Sequence, residues 1–287
     1  MTEFKSLISV AELEQHVDDA NLRIVDCRFD LLHPAKGYED YLKSHIQGAV
    51  YAHLDDDLAA PITASSGRHP LPAAEQFVAT LERLGISNDS QVVVYDAAAG
   101  GIAARLWWML RWLGHDAVAV LDGGYAAWTA AGKPLETTVP EREQGSFTPR
   151  ERSGWVITTE ELASQLAEGR PPTLVDAREA PRYRGEQEPI DTAAGHIPGA
   201  VNQPFAQNLA ADGRWRSSAD LAQSWRALFG GEPPAGWAVM CGSGVTACHL
   251  ALAAERAGLS PPRLYAGSWS EWIRDPQRPR LSGPAAG

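Results

Sequence analysis

Short apolar runs rich in β-branched residues alternate along the chain with stretches of helical period. The runs predict strands over residues 23–26, 91–95, 117–121, 173–176, 237–241 and 263–265. Between them the period predicts helices over residues such as 73–84, 103–113, 218–229 and 246–257. Strands that alternate with helices imply parallel pairing with both sheet faces covered, so the expected class is α/β.

The pattern occurs twice. Ile24-Val-Asp-Cys-Arg28 matches Leu174-Val-Asp-Ala-Arg178, and Ser44-His-Ile-Gln-Gly-Ala-Val50 matches Gly195-His-Ile-Pro-Gly-Ala-Val201. Val93-Val-Tyr-Asp96 matches Ala238-Val-Met-Cys241, and Gly123 with Trp128 matches Gly267 with Trp272. Four matches in one order, all offset by roughly 150 residues, mark two tandem copies of one α/β domain. The expected layout is an N-terminal copy over 1–139, a polar linker over 140–154, a C-terminal copy over 155–275 and a tail over 276–287. The linker reads VPEREQGSFTPRERSG from Val139, and the tail is rich in Pro and Gly.

Two domains suit a length of 287 residues and an apolar content of 44%. No stretch approaches the ~18 apolar residues of a membrane span. The N-terminus lacks a basic segment followed by an apolar run, and Glu12 and Glu14 oppose a transit peptide, so the cytoplasm is expected. Against 25 Lys and Arg stand 36 Asp and Glu, a net charge of −11 without a basic run, which disfavours nucleic acid as a partner. Three cysteines without a C-x-x-C pair suit neither a disulfide framework nor a structural zinc site. No metal or organic cofactor is expected.

The repeat locates the chemistry. Where the second copy has Cys241-Gly-Ser-Gly-Val-Thr246, the first has Asp96-Ala-Ala-Ala-Gly-Gly101, so one copy alone has a nucleophile at that strand end. In open α/β sheets ligands bind beyond the carboxyl ends of strands. Gly242, Ser243 and Gly244 let the backbone curl and aim N–H groups inward, and with a helix starting near Thr246 they favour a thiolate or persulfide. A cysteine phosphatase would need arginine where Ala247 stands; the P-loop and G-x-S-x-G patterns are absent. Cys248, beside His249, is expected within the following helix facing the core, and Cys27 is expected to be structural.

These residues resemble the rhodanese and 3-mercaptopyruvate sulfurtransferase family over nearly the whole chain. The most specific piece is Cys241-Gly-Ser-Gly-Val-Thr-Ala-Cys248, supported by Asp176-Ala-Arg178, Gly195-His-Ile-Pro-Gly199 and Gly267-Ser-Trp269. The resemblance implies two tandem rhodanese-like domains, each a mainly parallel sheet flanked by helices, with the cysteine in the second. Thiosulfate enzymes of the family resemble Cys-Arg-Lys-Gly-Val-Thr, whereas the mercaptopyruvate enzymes resemble Cys-Gly-Ser-Gly-Val-Thr, as here. A loop without a fixed cation suits a small keto acid better than a dianion. By resemblance, Ser243, His69 (in Gly67-Arg-His-Pro-Leu-Pro72) and Asp55 (in His53-Leu-Asp55) form a proton-moving set around Cys241, and Arg182 binds the donor. Gly242, Gly244, Val245 and Thr246 are expected to cradle the substrate sulfur. Animal mercaptopyruvate enzymes carry a second arginine where this chain has Ile190; Arg184 or Arg105 is the expected substitute. Asp176–Arg178 and His196, which recur as Asp26–Arg28 and His45, are expected to be structural.

The implied activity is transfer of sulfane sulfur from 3-mercaptopyruvate, through a Cys241 persulfide, to a thiol, a thioredoxin-like protein or cyanide. The alternatives are a thiosulfate:cyanide sulfurtransferase on the same scaffold and a non-catalytic persulfide carrier.

Overall fold

The computed structural model describes residues 3–284. The chain divides into two compact units, one of Met1–Ala60, Leu71–Arg152 and Ala211–Trp215, the other of Pro61–Pro70, Ser153–Ala210 and Arg216–Gly287.

The first unit has strands β1 (Leu7–Ile8), β2 (Leu22–Asp26), β3 (His45–Ile46), β4 (Val50–Tyr51), β5 (Gln91–Tyr95), β6 (Val118–Leu121) and β7 (Leu135–Glu136). Five of them form a sheet in the order β1-β6-β5-β2-β4 with every pairing parallel, while β3 and β7 make a small antiparallel pair. β5 reads Gln-Val-Val-Val-Tyr and is buried throughout, as a central parallel strand covered on both faces must be. The helix Ala103–Trp112 is buried at every position except Arg111, so its sequence has almost no polar face.

The second unit has β8 (Leu174–Asp176), β9 (Val201–Asn202), β10 (Ala238–Met240) and β11 (Arg263–Leu264) in a parallel sheet of order β11-β10-β8-β9. Its helix Thr246–Arg256 is buried from Ala247 to Ala254. Met240, Tyr265, Trp269 and Trp272 anchor the core here, as Val93, Tyr95, Leu121 and Trp128 do in the first unit. β10 is shorter than the expected 237–241. The Cys241 carbonyl accepts from Trp269 N (3.0 Å) in a turn, which leaves the cysteine just past the strand end.

The repeated motifs pin each framework in the same way. Arg28 holds Asp26 and donates to the Ser44 carbonyl (2.7 Å); Arg178 holds Asp176 and donates to that of Gly195 (2.7 Å). His45 stacks on Tyr41 and His196 on Tyr183, each at 4.0 Å between ring centroids.

Composition misleads about both low-complexity stretches. The expected linker packs along the first unit: Gly145 N donates to Glu82 O, Arg150 N to Leu113 O and Arg152 N to Trp112 O, each at 2.8 Å, and Phe147 is buried. The expected tail is pinned to the second unit, where Leu281 and His196 exchange backbone hydrogen bonds of 2.9 Å and Trp272 Nε1 donates to Pro279 O (3.0 Å). Residues 285–287 of that tail lie outside the described residues.

Candidate active site

Cys241 emerges from β10 into a loop whose backbone turns back onto its own sulfur. Gly244 N donates to Sγ at 3.1 Å and Ser243 N at 3.4 Å. Gly244 makes this possible, because its φ is +79° and a Cβ there would stand 2.4 Å from the Ala266 carbonyl oxygen. The turn after β11 clamps the loop from outside. Ser268 Oγ accepts from Cys241 N (3.1 Å) and donates to Tyr265 O (2.8 Å), while Ser270 N donates to Gly242 O (2.9 Å). Ser268 itself has φ +53°, a conformation that costs a non-glycine residue about 1–2 kcal/mol and persists where surrounding bonds over-determine it. Converging amides make this loop a place for an anionic sulfur. The sulfur is well shielded, with Cys241 only 2% exposed.

Ser243 Oγ lies 2.7 Å from His69 Nδ1, both residues buried. The segment carrying His69 is held in the second unit by Arg68 N donating to Ser270 Oγ (3.0 Å), Gly67 N to Glu271 (3.3 Å) and Arg274 Nε to Ser66 O (3.0 Å). Two guanidiniums stand over Gly242: a Cβ there would meet Arg68 Nη2 at 2.8 Å and Arg182 Nη2 at 3.5 Å. Both are tied to carboxylates. Arg182 bonds Glu188 (2.8 Å) and Asp191 (3.0 Å), and Arg68 also pairs with Asp191. Burial lifts Asp191 above the usual carboxylate range, Glu188 adding to that and Arg68 and Arg182 opposing it. Glu188 moves the other way: burial pushes it up, but hydrogen bonds from Arg182 and from the Asp191 and Ile190 amides hold it below its ordinary value.

Of the residues singled out in the sequence, the structure gathers Cys241, Gly242, Ser243, Gly244, His69 and Arg182 around one loop. Val245 and Thr246 begin the next helix, but among the described residues only the Ser243 and Gly244 amides donate to Sγ. Asp55 lies in the first unit, half-buried on the helix Leu54–Asp57. Cys248 is buried with its thiol against Gly244 O (3.3 Å), and His249 meets Asn208 (3.2 Å). Cys27 is fully buried, and burial with the nearby Asp26 and Asp96 charges pushes its thiol far up, as suits a structural residue. The expected substitutes for a second arginine are differently engaged: Arg184 pairs with Glu186, and Arg105 is buried in the first unit against Leu58 O. Ile190 is exposed.

Sequence reasoning overlooked Arg68, Glu188, Asp191, Ser268 and Ser270. Arg68 was adjacent to His69 within the quoted Gly67-Arg-His motif, and a fixed charge beside a candidate site residue was the available signal. The neutral loop was also a poor guide to the local charge, since cations approach Gly242 from other segments. Among the described residues, no cluster of His, Cys, Asp or Glu could hold a metal, and no helix is long and apolar enough to cross a membrane.

Residues 9–131 and 158–275 each match the rhodanese-like domain. The chain belongs to the rhodanese-like family. A Pseudomonas aeruginosa relative named "Probable 3-mercaptopyruvate sulfurtransferase" is 46% identical over 96% of this chain and 98% of its own length. The Gallus gallus thiosulfate sulfurtransferase is 34% identical, covering 88% of this chain and 87% of the relative. The solved 3-mercaptopyruvate sulfurtransferase of Leishmania major superposes with a TM-score of 0.82 at 32% identity, covering 93% of this chain and 74% of that one. As a rhodanese-like protein with relatives of this kind, the chain is a sulfurtransferase with two rhodanese-like segments.

Proposed function

We propose that this rhodanese-like enzyme takes sulfur from 3-mercaptopyruvate and holds it as a persulfide on Cys241. The carrying observation is the Cys241 sulfur facing two loop amides beside a hydrogen-bonded Ser243–His69 pair. The Cys241 thiolate attacks the donor's sulfur, a sulfur–sulfur bond forms, and the donor's carbon–sulfur bond breaks. The electron pair of that bond goes to the departing carbon as the enolate of pyruvate, and the donor's thiol proton stays on the outer sulfur. Ser243, hydrogen-bonded to His69, supplies a proton to the enolate. A thiol, a thioredoxin-like protein or cyanide then attacks the outer sulfur and releases Cys241 as thiolate. The loop amides, extended by those at Val245 and Thr246 once sulfur is bound, offset the negative charge at each stage.

Arg182 is proposed to grip the donor's carboxylate, for which a guanidinium fork is the matching shape. Glu188 and Asp191 already offset the two guanidiniums over Gly242, so the local field suits a singly charged keto acid better than a dianion. The same two cations are the observation that favours the second reading, a thiosulfate sulfurtransferase. Comparing kcat/KM for the two donors separates them: 3-mercaptopyruvate is expected to exceed thiosulfate by at least about tenfold, and the reverse ratio overturns the first reading. Cys241→Ser should abolish turnover of both. A persulfide carrier would load once and never turn over. The three free cysteines support a reducing compartment, and we place the enzyme in the cytoplasm.

A further inference from the structure

We propose that Glu271 is a positioning residue that sets the His69 imidazole against Ser243, resting on the reading above in which that pair protonates the departing enolate. Glu271 lies on the short helix Ser268–Trp272, which holds both halves of the pair. On one side the helix fixes the sulfur loop. Trp269 N donates to Cys241 O (3.0 Å) and Ser270 N to Gly242 O (2.9 Å), while Ser268 Oγ accepts from Cys241 N (3.1 Å). On the other side, residues of the helix and its end hold three consecutive residues just before the imidazole. Arg274 Nε donates to Ser66 O (3.0 Å), Gly67 N donates to Glu271 Oε2 (3.3 Å), and Arg68 N donates to Ser270 Oγ (3.0 Å). The fit is close: a Cβ on Gly67 would stand 2.6 Å from the Gly267 carbonyl oxygen and 2.9 Å from Ser270 Oγ.

Glu271 is the holder whose side chain is itself pinned from the core. Its Oε1 accepts from Thr159 Oγ1 (2.5 Å), and Thr159 Oγ1 meets the Tyr265 hydroxyl (2.7 Å), both of those residues being buried. The carboxylate folds back over Gly267, where a Cβ would meet Oε2 at 2.5 Å. One oxygen is thus fixed by a buried hydroxyl and the other fixes a backbone amide two residues before His69. The 2.7 Å contact between His69 Nδ1 and Ser243 Oγ depends on that register. What matters is the place of the acceptor, not its charge. A glutamine of the same length can accept from Gly67 through its oxygen and donate to Thr159 through its nitrogen. An aspartate keeps the charge but falls one methylene short of both partners.

The test is steady-state kinetics with 3-mercaptopyruvate for wild type, Glu271→Ala, Glu271→Asp and Glu271→Gln, with Cys241 persulfide loading from inorganic polysulfide timed by mass spectrometry. A shortened polysulfide leaves as a stable anion and needs no proton from His69, so loading reports on the sulfur loop alone. Glu271→Ala and Glu271→Asp should lower kcat about 10- to 100-fold, the scale of a misplaced proton donor, with KM changing less. Glu271→Gln should keep kcat within about threefold of wild type, and polysulfide loading should stay within about threefold in every Glu271 variant. If the alanine variant does not fold, the glutamine and aspartate variants decide. Gly67→Ala crowds the same segment without touching Glu271 and should reproduce the loss of kcat. Aspartate outperforming glutamine would make charge the operative property and overturns the proposal. An unchanged kcat in Glu271→Asp or Gly67→Ala overturns it too, as does polysulfide loading that falls along with kcat, which would assign Glu271 to the sulfur loop. A folded His69→Ala with wild-type kcat overturns the underlying proton-delivery reading instead, and this role of Glu271 with it.

Discussion

The two units build the same device at the end of the same strand and fill it differently. In the second unit Cys241 Sγ receives two loop amides, at 3.1 and 3.4 Å. In the first, the Asp96 carboxylate receives four: Ala98 and Gly100 at 2.8 Å, Ile102 and Ala103 at 2.7 Å. Both loops pass through a left-handed residue three positions on, Ala99 (φ +53°) in one and Gly244 (φ +79°) in the other. Each is tied by its first carbonyl to a later turn, Asp96 O to Tyr125 N (2.9 Å) and Cys241 O to Trp269 N (3.0 Å). A strand end followed by a buried helix gathers amide donors whatever side chain begins the loop. The first unit satisfies them with a permanent carboxylate of its own. The second leaves them to the Cys241 sulfur, the atom proposed to carry sulfur between donor and acceptor.

Three substitutions press on this contrast. The largest effect is expected from Gly244→Ala, which meets both a left-handed backbone and the Ala266 carbonyl. It should destabilise the protein by about 3–4 kcal/mol in denaturant titrations and lower turnover at least about 100-fold, because the loop must rotate its amides off the sulfur. Retained turnover would show that those amides are incidental. Asp96→Ala comes next. It strands four backbone donors, those of Gly100 and Ala103 on buried residues, and should cost about 2–3 kcal/mol, with formate added to the variant raising its melting temperature and leaving wild type unmoved. A variant indifferent to formate would mean that the cradle does not select anions. The smallest effect is a gain: Ala99→Gly relieves the left-handed alanine but frees the unfolded chain, for a net stabilisation of about 0.5 kcal/mol. Chemical denaturation would detect it, and a loss of stability would argue that the Ala99 methyl is packed to advantage.

Much of the frame was legible in the sequence. The strands around Val93 and Val239 are continuous apolar runs, the pattern of parallel strands buried on both faces. The duplicated Asp-x-Arg and His-Ile motifs identified the two copies because each does the same local work. Position 241 stood out by contrast with Asp96. Other features were hidden for stated reasons. Arg68 and His69 belong to the second unit although they come from the first half of the chain, and no local pattern announces such a crossing. Ser268 takes a left-handed conformation that its residue type does not advertise. The segment after Val139 reads as a tether because its side chains are polar, yet its backbone donors are satisfied by Glu82, Leu113 and Trp112, carbonyls that a composition count cannot see.

The assignment of Pro61–Pro70 to the second unit bears on how this chain could be divided. A break at Ser153, where the polar stretch invites one, would yield a C-terminal fragment with the thiol and its loop but without the imidazole that meets Ser243. Duplication therefore did not leave two severable modules: the later unit is completed by a loan of ten residues from the first half of the chain, and gene-level cutting or shuffling at the apparent seam would strand that loan on the wrong piece.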